Sequence, residues 1–136
     1  NAMVGNAGQF LADGANVNNP YYLQFLKLGQ IPQPTQIFVL TEEHPDSIND
    51  GYFLNQPDSM QWLDLPASYH NGAANLAFAD GHLATHRWRF ASTKPPAHPD
   101  AAHLPRSVPA AERADFDWLM DRTTIDSYPE AASSAR

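Results

Sequence analysis

At 136 residues, 43% of them apolar, the chain is long enough for one hydrophobic core and too short for two ordinary domains. Its 15 acidic against 8 basic residues leave a formal charge of −7, which argues against a nucleic-acid backbone or an anionic lipid surface as partner, because both need clustered Lys and Arg. The absence of cysteine excludes disulfides and thiolate metal sites.

In chain order, Asn1-Ala2-Met3 reads either as a cloning remnant followed by a start Met or as native sequence. No run approaches the ~20 apolar residues of a membrane span, so any targeting or membrane segment is expected to lie outside this sequence. Residues 1 to 19, rich in Gly, Asn and Ala, read as loop with a short strand at Gln9-Phe10-Leu11. Asn19-Pro20 predicts a helix start, Asn as N-cap and Pro at the first helical position. Tyr21, Tyr22, Phe25, Leu26 and Leu28 follow at mostly helical spacing, and Gly29 ends the element. Pro32 and Pro34 frame an extended connection. Residues 36 to 41 are a β-rich run, and residues 52 to 54 a short second strand.

Residues 73 to 79 and 82 to 90 alternate outward from Asp80-Gly81 and predict a β-hairpin with a type I′ turn. Five prolines fall within residues 91 to 110, which read as an irregular surface loop. Residues 109 to 123 predict a closing helix, with Phe116, Leu119 and Met120 on one face. Residues 131 to 136 are expected to fray. The expected fold is α+β in one domain over residues 1 to 136: an antiparallel sheet of about four strands with short helices packed at one face or end.

Two segments carry candidate chemistry. Glu42, Glu43, Asp46, Asn49 and Asp50 fall within nine residues, all capable of oxygen ligation. Ca²⁺ takes six to eight such oxygens, so Glu43, Asp46, Asn49 and Asp50 are candidate Ca²⁺ ligands. The same residues also suit a turn in which Asp46 and Asn49 cap backbone N–H groups. His70 precedes the hairpin and Asp80 sits at its turn, so the two are expected to face each other. Their pairing reads either as a structural lock or, joined by Glu43 and His82, as a metal or acid–base site; His70, Asp80 and His82 are the alternative ligand set. His82 and His86, four apart on one strand, project to one face. His44, His98 and His103 lie in loops without a defensible arrangement. Tyr52, Trp62, Tyr69 and Trp88 form a core or an exposed aromatic patch. No Gly-x-Ser-x-Gly elbow, cysteine nucleophile or phosphate-binding Gly-rich loop is present.

His70, nine residues, then Asp80-Gly81 resembles the C-terminal domain of prepilin-type proteins named for that H-X9-DG pattern, of planctomycete and verrucomicrobial type. The strand and loop of residues 37 to 53, with Glu43-His44-Pro45-Asp46-Ser47-Ile48-Asn49-Asp50-Gly51 at its centre, the approach to the His over residues 62 to 70 and the closing helix over residues 116 to 124 are similar to the same family. The resemblance covers roughly residues 31 to 124. It implies a pilin-like globular head without its N-terminal transmembrane helix, in a pseudopilin of a type II secretion or type IV pilus-like system. His70, Asp80 and Gly81 would be motif residues with a structural role and no catalysis. Ca²⁺ is the one cofactor implied, by analogy with major pseudopilins.

The implied partners are other pilin-like subunits in a homo- or hetero-fibre. The implied location is the periplasmic or extracellular side of the envelope, with inner-membrane anchoring before assembly. The implied solution state of this domain is a monomer or weak dimer. Two rivals from other classes are an extracytoplasmic carbohydrate-binding module using the aromatics, and a metal-dependent hydrolase at His70, Asp80 and His82.

Overall fold

A computed structural model describes residues 1–5 and 19–126. The short strand expected at residues 9 to 11 and the fraying of residues 131 to 136 lie outside the described residues. Strand β1 (Phe38–Thr41), β3 (Ala73–Phe78) and β4 (Leu83–Arg87) form an antiparallel sheet in the order β1-β3-β4. Strand β2 (Gln61–Trp62) pairs with β5 (Arg106–Ser107) in a separate two-stranded ribbon, and helix α1 (Arg113–Met120) closes the core. The fold is therefore α+β, as expected, with the strands divided between two small sheets rather than gathered in one of about four.

The hairpin forms where the alternation places it. Ala74, Leu76 and Phe78 turn inward from β3 while Asn75 and Ala77 face out. The register runs from Ala73↔Arg87 to Ala77↔Leu83. The turn differs from the expected two-residue form. Phe78 N donates to His82 O and Gly81 N to Phe78 O, both at 2.9 Å, so the loop holds Ala79, Asp80 and Gly81. Of these, Gly81 alone has positive φ (+92°). A three-residue loop with glycine in the left-handed position supplies the strand twist without asking Asp80 to adopt that conformation.

The main core gathers Phe38, Phe53, Trp62, Leu65, Leu76, Trp88, Phe116 and Leu119 between the inner sheet face, the ribbon and α1. Each large side chain buried there is worth about 1.5–3 kcal/mol. Phe25, Ile31 and Ile37 form a smaller satellite.

The helix expected from Asn19-Pro20 is not formed. Phe25 makes a parallel bridge with Val4, and Tyr22 an antiparallel one with Asp126. Leu23 N donates to Ile125 O at 3.0 Å and Phe25 N to Met3 O at 2.8 Å. Backbone partners from both distant ends of the described chain override local helical spacing. One 3₁₀ turn at Leu28–Gln30 follows, and Gly29 lies inside it instead of ending a helix. Residues 52 to 54 belong to no ladder, although Phe53 O accepts from Ala2 N at 2.9 Å. Asp64 Oδ2 accepts from Leu54 N (2.7 Å), and Asn55 clasps the opposite segment through Leu63 N (2.8 Å) and Asp64 O (2.8 Å). Side chains thus do there what a sheet partner was expected to do. The closing helix is present, shorter than residues 109 to 123: a 3₁₀ turn at Ala110–Glu112 leads into α1.

Candidate functional site

The segment His70–Gly81 is one arm of the hairpin, with His70 at its open mouth and Asp80 at its turn. The expected His70–Asp80 contact is absent because a six-residue strand separates them. Each end has its own acid–imidazole pair. At the mouth, His70 Nε2 lies 3.0 Å from Glu42 Oε1, and Asn75 N donates to Glu42 Oε2 at 3.0 Å. Burial opposes ionisation of Glu42, but the bonds from His70 and Asn75 outweigh it and hold the carboxyl below its ordinary pKa. At the turn, Asp80 accepts from the His82 ring and, at 3.1 Å, from His82 N. The His82 hydrogen bonds hold Asp80 below the usual carboxylate range. His82 also stacks on Phe78, ring centroids 4.4 Å apart. The nine-residue spacing therefore measures the length of a β arm and does not bring a dyad together.

The acidic loop is a clamp. Asp46 accepts from Asp100 N and Ala102 N, each at 2.7 Å, so both carboxylate oxygens are engaged by the proline-rich segment. Chiefly the bond from Ala102 holds its pKa low. The buried His44 ring donates from Nε2 to Pro96 O (2.7 Å) and accepts at Nδ1 from Asp46 N (3.2 Å), which fixes the Nε2–H tautomer. These bonds attach the 94–108 loop to the core. Asp50 Oδ1 caps Tyr52 N at 2.7 Å, and Asn49 is exposed.

Glu43, Asp46, Asn49 and Asp50 therefore do not converge as a Ca²⁺ cradle; Asp46 is turned outward to the clamp while Glu43 faces Asp64. His70, Asp80 and His82 do not converge either, being split between the two hairpin ends. Among the described residues, no group of three or more His, Cys, Asp or Glu side chains could hold a metal ion. His86 does not share a free sheet face with His82 for metal binding. It stacks on Trp118 at 3.5 Å, with burial pushing its pKa down.

The four aromatics do not form a patch. Trp62 and Trp88 are buried, whereas Tyr52 and Tyr69 are partly exposed. Tyr69 is tied down by its hydroxyl, which donates to Glu43 O at 2.6 Å. No Ser or Thr hydroxyl among the described residues is hydrogen-bonded to an imidazole. The hydroxyls of Thr41 and Thr85 donate to Asn75 O and Asn75 Oδ1.

What remains open is the outer face of the sheet. Leu40 is 67% exposed and Leu83 77% exposed, flanking Ala77. They border a shallow concavity of about 530 Å³ whose polar end is Glu42, Asn75 and Thr85. Sequence alternation predicts a half-buried hairpin without saying which face is outward. It did not reveal that the outward residues include two large leucines at matching positions on β1 and β4.

Two acids and an amide carry structure that the sequence does not single out. Asp64 and Asn55 are the clasp described above. Asp115, buried at 1%, accepts backbone N–H bonds from Arg89 and Phe90. Its signal was present: an acid four residues before the core-facing Leu119 sits on the apolar side of α1.

Glu43 has a titration consequence. Burial first, then Asp64 and Asp50, push its carboxyl up to about 7, partly offset by the terminal amine. Its Oε2 has no hydrogen-bond partner. The folded chain thus holds this proton more tightly than the unfolded chain. The contribution of Glu43 to stability is fully present below the ordinary glutamate range and is lost as pH rises from about 4.5 to 7. Glu43→Gln is expected to match wild type at pH 4 and to exceed it by about 1–2 kcal/mol at pH 8, discounted for the half-exposed side chain. Urea unfolding at both pH values checks this; equal wild-type and variant midpoints at pH 8 would refute it.

Neither a family model, nor a curated protein, nor a solved structure matches the chain.

Proposed function

We propose that this chain is the globular head of a pilin-like structural subunit in a type II secretion or type IV pilus-like system. On this reading it works through subunit contacts rather than catalysis. The observation that carries the reading is the apolar outer face of the motif-bearing hairpin. Leu40 and Leu83 stand exposed there, while the acid–imidazole pairs at either end serve the hairpin's own geometry. A domain whose acid–imidazole pairs serve its own fold and whose outer sheet face exposes Leu40 and Leu83 suits assembly. The H-X9-DG spacing supports the family assignment, as the interval between hairpin mouth and turn.

The test is processing and location of the full-length protein in its native cell. With an intact prepilin peptidase, the protein is expected in the sheared surface-fibre or envelope fraction. Without the peptidase, it is expected to keep a longer leader and disappear from that fraction. A protein whose mass and location are unchanged by loss of the peptidase would overturn the proposal.

A further inference from the structure

We propose that the outer edge of β4 is a pairing site for β4 of a second copy of this chain, the two strands running antiparallel about a two-fold axis through Thr85. The inference rests on the sheet edge and does not depend on the fibre reading.

Strand parity defines the edge. Phe78 N donates to His82 O and Trp88 N to Gly72 O, both at 2.9 Å. These bonds bracket the strand, so its even-numbered residues direct their backbone groups toward β3. The N–H and C=O groups of Leu83, Thr85 and Arg87 therefore point away from the sheet. All three residues are exposed. The opposite edge of the sheet is closed, since Phe38 N donates to Arg122 O at 3.1 Å and Phe38 O accepts from Asn1 Nδ2 at 2.8 Å.

Protective devices are sparse on β4. It has no proline, lysine or bulge, and its one charged side chain, Arg87, folds back to donate to Asn71 O at 2.8 Å.

A second copy is the occupant because the edge is self-complementary. Antiparallel pairing centred on Thr85 sets Thr85 against Thr85 and Leu83 against Arg87. About six new backbone bonds form, as in other strand additions. Each exposed Leu83 is then covered by the aliphatic stem of the partner's Arg87. The pairing runs from Leu83 to Arg87 and ends there, because the next outward amide, Arg89 N, is taken by Asp115 of α1. The same patch serves both copies, as a two-fold contact requires. The interface is small, so the dimer is weak and reversible.

Sedimentation of the 136-residue chain over a concentration series tests the proposal, with two substitutions at one position. Thr85→Pro removes an edge N–H that β3 does not use and is tolerated on an edge strand. It is expected to weaken dimerisation by about tenfold or more. Thr85→Val loses the same bond to Asn75 but keeps the edge N–H, and is expected to leave dimerisation within about twofold of wild type. The chain has no native cysteine, so Thr85→Cys gives a clean cross-link. A covalent dimer is expected with a short bis-maleimide, which spans the wide Cβ separation of a hydrogen-bonded pair, and Asn49→Cys on the acidic loop is expected to give none. Monomeric wild type at millimolar concentration, equal dimerisation of the Pro and Val variants, or equal cross-linking at positions 85 and 49 would each overturn the proposal.

Discussion

Trp88→Ala is expected to lower the stability of the domain by about 4 kcal/mol, the upper part of the range for emptying a buried aromatic site. Trp88 is 1% exposed. Its ring meets His86 edge-on at 4.8 Å and Trp118 at 6.0 Å. Its indole N–H donates to Ala67 O at 2.8 Å in the core, and its backbone N–H to Gly72 O continues the hairpin ladder past β4. Truncation leaves a cavity and strands the carbonyl of Ala67. The loss is a large share of the 5–15 kcal/mol that holds a typical domain. Trp88→Phe separates the two costs, keeping most of the volume while losing the donor, with about 1–3 kcal/mol expected. Urea unfolding followed by circular dichroism measures both. A loss below 1 kcal/mol for the alanine variant would show that the site collapses or is not packed as described.

The hairpin that Trp88 extends is legible in the sequence, and other elements are not. Its two arms are neighbours in sequence, so alternation and an Asp-Gly corner contain nearly all the information about it. The turn type was misjudged by one residue, since Phe78 rather than Ala79 closes the ladder with His82. The segment after Asn19-Pro20 failed for the opposite reason. Its partners, Met3 and Ile125, are remote in sequence, and backbone pairing with them outweighs a modest helical spacing.

The candidate sites failed through geometry that spacing cannot encode. Glu43 and Asp46 are three apart, yet one turns toward Asp64 and the other out to Asp100 and Ala102. His70 and Asp80 were expected to meet, but a strand between them is a spacer. The same residue types serve equally as ligands or as caps; backbone direction decides which, and only the folded chain supplies it. The turn reading of Asp46 came close, since it does accept backbone N–H groups, from a loop more than fifty residues away.

Asp115→Ala is expected to cost about 3 kcal/mol, a large effect for a single polar substitution. The carboxylate is 1% exposed and accepts from Arg89 N through both oxygens at 3.0 Å and from Phe90 N at 3.0 Å. It fastens the chain leaving β4 to α1, so the hairpin's exit depends on it. Alanine leaves both N–H groups facing an apolar gap, and hydrogen bonds to a charged acceptor are worth more than neutral ones. Asp115→Asn tests the charge separately. Its amide offers one acceptor oxygen, and its NH₂ group confronts a donor, so about 2 kcal/mol is expected. Hydrogen exchange adds a local readout. Protection of the Arg89 and Phe90 amides should fall in both variants before that of Leu76 in the centre of β3, because the exit segment opens without the sheet. Retained protection at Arg89 and Phe90, with a stability loss under 1 kcal/mol, would mean that another group holds this corner.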